Sequence, residues 1–185
     1  MGRNPTMPKF PFLLFDAGVI IGAYELGVWD QLMKQCAITI TSTVKDQEAY
    51  YWSDEQGIGH EINLTEDVEA GRIKCVDVPL SQVDDFRKKF DPVYLDRMDA
   101  GEADSLAFLF FSKEDWLITS TDSHVFKVLG CLGLEQCGLS LEEILRNTGL
   151  GRKVHWKYSK AFRTKYTSQG KQEGVSGLGL RNNLP

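Results

Sequence analysis

Four apolar residues, Phe12 to Phe15, run straight into Asp16 with no polar alternation. So short a run predicts a strand buried on both faces, the kind that lies in a parallel sheet covered by helices. Ala37–Thr41, Ile73–Val78 and Trp116–Thr119 predict further strands, and a last one is expected near Glu135–Gly138. Between these runs the spacing changes to that of helices. Leu26, Trp29, Leu32 and Met33 fall at helical intervals across Tyr24–Lys34. Thr41 or Ser42 can cap a helix through Val44, Glu48, Ala49 and Trp52. The polar stretch Asp54–His60 reads as a loop, and Thr65–Glu69 as a short helix closed by Gly71. Ser81–Phe90 turns Val83, Phe86 and Phe90 to one side, and Pro92 stops it. Asp99-Ala100-Gly101-Glu102 has the form of a capping box. The helix it opens, through Phe111, is apolar nearly all round and is therefore expected to be buried. Helices over Ser123–Leu132 and Leu141–Asn147 follow, the second capped by Ser140 and ended by Gly149. Strands alternating with helices in this way predict an α/β fold: a three-layer α/β/α sandwich with a mostly parallel central sheet.

Composition divides the chain into three parts. Residues 1–10 carry prolines and no periodicity and read as a loose arm. Residues 11–150 form the expected domain, and residues 151–185 a basic, aromatic extension, expected to be partly mobile. The net charge of −5 hides an asymmetry: residues 1–150 hold 13 Lys and Arg against 25 Asp and Glu, and residues 151–185 hold 8 against 1. An acidic body with a basic tail calls for docking of the tail on the body or for an anionic partner. No apolar run approaches membrane-spanning length, and the N-terminus has no hydrophobic stretch of a secretory signal. Met1-Gly2 with Thr6 fits a myristoylation pattern formally, without a second membrane signal beside it. Cys36, Cys75, Cys131 and Cys137 form no C-x-x-C pair and lie in or beside apolar segments, which points to free thiols and a cytoplasmic protein.

The chemistry lies in carboxylates. Asp16 ends the first strand, Glu48 follows the second, Asp104 lies early in the buried helix, and Asp122 ends the fourth strand. In a parallel sheet these places share the edge where ligands bind. Taken alone, Asp16 is more simply a helix cap. Four carboxylates held close together cannot all stay ionised unless a cation joins them. All-oxygen ligation suits Mg²⁺ or Mn²⁺ rather than zinc, and His60, His124 and His155 lie too far apart in sequence to offer a competing set. His124 is expected on a helix surface, Trp29, Trp52 and Trp116 in the core, and Asp84, Asp85, Asp96 and Glu142 on solvated faces.

Four motifs together resemble those of PIN domains, metal-dependent ribonucleases that include the toxins of toxin–antitoxin pairs. They are the strand ending in Asp16-Ala17-Gly18-Val19, Thr41-Ser42-Thr43-Val44 leading to Gln47-Glu48-Ala49, Gly101-Glu102-Ala103-Asp104-Ser105-Leu106-Ala107, and Leu117-Ile118-Thr119-Ser120-Thr121-Asp122. They occur in the family's order over about the first 150 residues. The resemblance implies an acidic quartet of Asp16, Glu48, Asp104 and Asp122, with Asp16, Asp104 and Asp122 as metal ligands and Ser120 in the polar position beside the last acid. It implies hydrolysis of single-stranded RNA with Mg²⁺ or Mn²⁺, and antitoxin and homodimer partners. Two departures stand out. Gly18 replaces a small polar residue, and Glu102 is a second acid beside Asp104, which is preferred as ligand because the capping box gives Glu102 a structural task. Arg152, Lys153, Lys157 and Lys160 are candidates for RNA phosphates, with Trp156 or Tyr158 stacking on bases. The opposing reading of the tail is a final helix that packs its aromatics on the body. A strand ending in aspartate is also similar to haloacid-dehalogenase-type phosphatases, but those carry an acid two residues on, where this chain has Gly18. A third reading is a non-catalytic PIN-like module that binds RNA or protein.

Overall fold

The computed structural model describes residues 8–181. The N-terminal myristoylation pattern and most of the expected arm lie outside them; Lys9 and Phe10 pair through their backbones with Gln35 and Ala37. At the centre is a four-stranded parallel sheet in the order β5-β2-β1-β6, with β1 at Leu13–Phe15, β2 at Ile38–Thr41, β5 at Lys74–Val76 and β6 at Leu117–Thr119. Leu13 pairs with Ile38 on one side of β1 and with Leu117 on the other. Successive side chains of β1 point to opposite faces. Leu13 and Phe15 therefore join one core and Leu14 the other, all fully buried. This is why the strand shows no polar alternation.

Helices cover both faces. Helix α1 (Ala17–Glu25), α2 (Trp29–Gln35), α3 (Leu64–Glu69) and α8 (Leu141–Asn147) contribute to the Leu13 and Phe15 side. Helix α4 (Leu80–Arg87), α5 (Pro92–Leu95), α6 (Ala100–Phe111) and α7 (Ser123–Cys131) contribute to the Leu14 side. The fold is α/β with a parallel sheet flanked by helices, an arrangement compatible with the expected sandwich. Among the described residues no helix is long and apolar enough to cross a membrane.

Local expectations fail where burial erases the period. The helix expected over Tyr24–Lys34 is two helices, and α1 begins directly after Asp16. Its stretch Ala17–Ala23 is almost wholly buried, so no polar face marks it as helical. Gly27, at φ +64, makes the turn into α2. The helix expected through Trp52 is one π-helical turn, Val44–Glu48, followed by an antiparallel hairpin of β3 (Tyr51–Ser53) and β4 (Gly59–Glu61). The polar stretch taken for a loop therefore contains β4. Asp54 builds the turn by accepting from the Gln56 and Ile58 N–H groups, at 3.0 and 2.9 Å. Trp52 anchors the hairpin by stacking between Tyr24 and His60. The strand expected near Glu135–Gly138 is a 3-10 turn, from which Gly138 makes a single parallel bridge to Ile118.

The extension forms an ordered helix, α9 (Lys160–Val175), laid against α7. A methyl group on Gly130 would overlap the backbone at Thr167, and one on Gly170 the backbone at Lys127. The two helices thus meet backbone to backbone. The Arg163 guanidinium forks onto Glu143 of α8 at 2.9 and 3.0 Å, and Lys127 reaches Glu173 at 3.3 Å. Gly170→Val is expected to undock α9, costing about 2 kcal/mol or more by overpacking. A lower Tm and faster proteolytic release of the extension would show it.

Candidate functional site

Asp16, Asp99 and Asp122 are each the N-cap of a helix. The Asp16 carboxylate accepts from Ala17 N–H at 2.9 Å, that of Asp99 from Glu102 N–H at 2.8 Å, and that of Asp122 from His124 N–H at 2.6 Å. The bland and the functional readings of Asp16 therefore describe one residue: the cap fixes where the carboxylate stands. β1 and β6 are parallel neighbours, so their ends, and with them Asp16 and Asp122, lie at one edge. Ser120 joins them. Its hydroxyl donates to Asp16 Oδ2 at 2.7 Å and accepts from the Asp122 N–H at 2.9 Å.

Glu48, at the end of the π-helical turn, reaches the start of α6 and accepts from Gly101 N–H at 3.0 Å. A methyl group at Gly101 would overlap the Glu48 carboxylate, so only glycine admits this approach. Glu102 is 3% exposed and closes the capping box by accepting from the Asp99 N–H at 3.3 Å. Asp104, two residues further on, accepts from the Thr43 hydroxyl.

The carboxylates repel one another. Burial, together with the charges of Asp99 and Asp122, pushes Asp16 up to about 6 against the hydrogen bond from Ser120. Burial and the charges of Asp99, Asp16 and Asp104 push Glu48 up to about 7. Burial and the charges of Asp122, Asp99 and Asp16 push Glu102 up to about 9. No ion pair among the described residues includes Asp16, Glu48, Asp99, Glu102, Asp104 or Asp122. Equally, no three His, Cys, Asp or Glu among the described residues stand together closely enough to hold a metal ion. The acids share an electrostatic site without forming a finished ligand shell. All-oxygen donors of this kind would suit a hard divalent cation rather than a soft one.

The expected quartet does not stand as a metal-ligand cluster; its members are linked by charge and through Ser120 and Gly101. Glu102 feels the charges of Asp122, Asp99 and Asp16, whereas Asp104 accepts from Thr43 and adds to the charge felt by Glu48. The preference for Asp104 on the ground that Glu102 is occupied by capping does not separate them, because capping occupies Asp16 and Asp122 as well. Asp99 was expected only as a cap and is a further member. Its signal in the sequence was that an acid at a helix start beside a sheet edge is both things.

Of the basic candidates, Arg152 lies away from this edge and the others are engaged locally or exposed. Arg152 donates to the Leu26 carbonyl at 2.6 Å, at the far end of α1 from Asp16, about 14 Å away for nine helical residues. Lys157 lies over the Tyr158 ring, Lys160 holds Glu142 through its backbone N–H and Glu143 through its ammonium, and Lys153 is exposed. Tyr158 is buried against Gly22, which removes it as a base platform, while Trp156 is 48% exposed. His124, expected on a surface, is buried with Nε2 on the Tyr94 carbonyl at 2.9 Å. Comparison of the chain with family models, with curated proteins and with solved structures finds no match.

The raised acids set a pH dependence. Asp16, Glu48 and Glu102 bind their protons more tightly folded than unfolded, so the native state holds more protons between about pH 4 and about 9. Stability of the metal-free protein therefore falls as pH rises through that window. Denaturant melts at pH 5 and pH 8 should differ by a few kcal/mol, on the order of the summed shifts, and Glu102→Gln should flatten the profile. Gly101→Ala should leave stability within about 1 kcal/mol, helix propensity offsetting the lost hydrogen bond, while displacing Glu48. Should a divalent cation bind at this edge, its affinity read by calorimetry should then fall about tenfold.

Proposed function

We propose that the protein is a divalent-cation-dependent ribonuclease that hydrolyses phosphodiester bonds of single-stranded RNA at this edge. The observation that carries the reading is the charge coupling of Asp16, Glu48, Asp99, Glu102, Asp104 and Asp122 from distant segments, with no ion pair to any of them among the described residues. The ordered resemblance of four motifs to PIN domains supports it. Mg²⁺ or Mn²⁺ bound there would supply positive charge to the scissile phosphate and lower the pKa of an attacking water. Asp16, locked by Ala17 and Ser120, orients that charge with Asp122 and either Glu102 or Asp104. Glu48 is held by one oxygen on Gly101 N–H and, poised at about 7, is suited to take the proton from water. The free thiols of all four cysteines agree with a cytoplasmic location.

A second reading is favoured by one observation. The acids already serve as helix caps and approach no finished ligand geometry, which suits a PIN-like module that binds RNA or protein without turnover.

Incubating the full chain with mixed RNAs and Mg²⁺, Mn²⁺ or EDTA decides between them. Metal-dependent cleavage that Asp16→Asn reduces by about a hundredfold or more is expected. Cleavage unaffected by that substitution would remove the proposed site, and RNA binding without cleavage of any substrate would favour the module. Asn retains the cap, so Asp16→Asn should melt no lower than the parent at pH 8 without metal.

A further inference from the structure

The C-terminal strap forms one wall of a recess that lies apart from the acidic edge. After α9, Gly179 exchanges hydrogen bonds with Asp91: the Asp91 N–H donates to the Gly179 carbonyl at 2.9 Å, and the Gly179 N–H donates to Asp91 Oδ2 at 2.9 Å. Leu180 bridges antiparallel to Phe90. Arg181 donates its N–H to the Lys89 carbonyl at 2.8 Å and its Nε–H to the Phe90 carbonyl at 2.9 Å. Together these bonds set Arg181 and Leu180 opposite the end of α4. The recess they close measures about 400 Å³ and is lined by Asp85, Lys88, Lys89, Phe110, Leu132, Leu180 and Arg181.

Its chemistry is two-sided. Phe110, Leu132 and Leu180 make an apolar floor, with Lys89 Nζ at 4.8 Å from the centre of the Phe110 ring. Of the cations, Lys88 is paired with Asp85 at 2.9 Å. Lys89 and Arg181 enter no ion pair among the described residues. A helix C-terminus attracts cations, which accounts for Lys88 as the C-cap of α4. It does not account for Arg181, which the strap carries in from the other end of the chain. An acidic protein therefore brings unpaired positive charge from two distant segments over an apolar floor. The volume falls in the range of small-molecule sites. A phosphate monoester carries about −1.5 to −2 charge, which matches Lys89 and Arg181. A planar or apolar body matches the floor.

We propose that this recess binds a nucleotide, its phosphate on Lys89 and Arg181 and its base against Phe110, Leu132 and Leu180. The nucleotide is either free or a unit of a single strand. The site does not depend on the nuclease reading, since Phe110 lies at the opposite end of α6 from Asp99.

Calorimetric titration of the full chain in EDTA, which silences the acidic edge, tests it. The probes are AMP, adenosine, inorganic phosphate and a short single-stranded oligoadenylate. AMP or the oligomer should bind at least about tenfold more tightly than adenosine or phosphate alone. Lys89→Glu and Arg181→Glu should each weaken that binding about tenfold or more, whereas Lys113→Glu, outside the recess, should not. AMP matching the oligomer identifies a free nucleotide as ligand. An oligomer much tighter than AMP, with the same two substitutions felt, identifies a strand. No binding of either up to about 1 mM, or binding indifferent to both substitutions in variants that melt like the parent, overturns the proposal.

Discussion

Carboxylates that the fold itself buries and holds near one another are the constraint on which this structure turns. Asp16, Asp99 and Asp122 each satisfy a backbone N–H at the start of a helix, and each helix start carries a partial positive charge that favours an anion. One such cap is ordinary. Here the helix starts share a neighbourhood, and Glu48 and Glu102 are drawn into it by their own hydrogen bonds to Gly101 and Asp99. Burial first, and the neighbouring charges second, make Asp16, Glu48 and Glu102 hold their protons more tightly than usual, and the helix ends offset this only in part.

The rest of the molecule keeps that neighbourhood rigid. The parallel pairing of β1 with β6 fixes the separation of Asp16 and Asp122, and Ser120 links them. The close packing that Gly101 allows pins Glu48 against α6. On the far side, the glycine contacts of α7 with α9 and the Arg163–Glu143 fork turn the basic extension inward. The charge asymmetry between body and tail is thus resolved in part within the chain. Much of the tail's positive charge binds carbonyls and carboxylates of its own body, and Arg181 is delivered to a separate recess.

Legibility in the sequence followed burial. β1 was readable because a doubly covered strand must be continuously apolar, and β2, β5 and β6 because β-branched and apolar residues fall there in short runs. The capping box of α6 was readable because cap and partner sit three residues apart, and so was Ser140 as the cap of α8, whose partner Glu143 only the structure showed. The start of α1 was not readable, since a helix buried all round has no period to show. The β3–β4 hairpin was hidden because its turn is built by one aspartate and its strands are too short and exposed to alternate. The role of Asp99 was missed because its local explanation was complete.

The sequence by itself determined the kinds of residue available: apolar strands ending in acids, caps at defined spacings, and a carboxylate-rich body without a competing histidine or cysteine set. Those are matters of local stereochemistry and transfer free energy, which act over a few residues. Only the tertiary structure decided which acids feel one another's charge, that Glu102 is coupled to Asp16 and Asp122 while Asp104 is held by Thr43, and that much of the basic tail is bound by its own body. Charge coupling depends on distance through space and on exclusion of water, and neither is encoded at any one position of the chain.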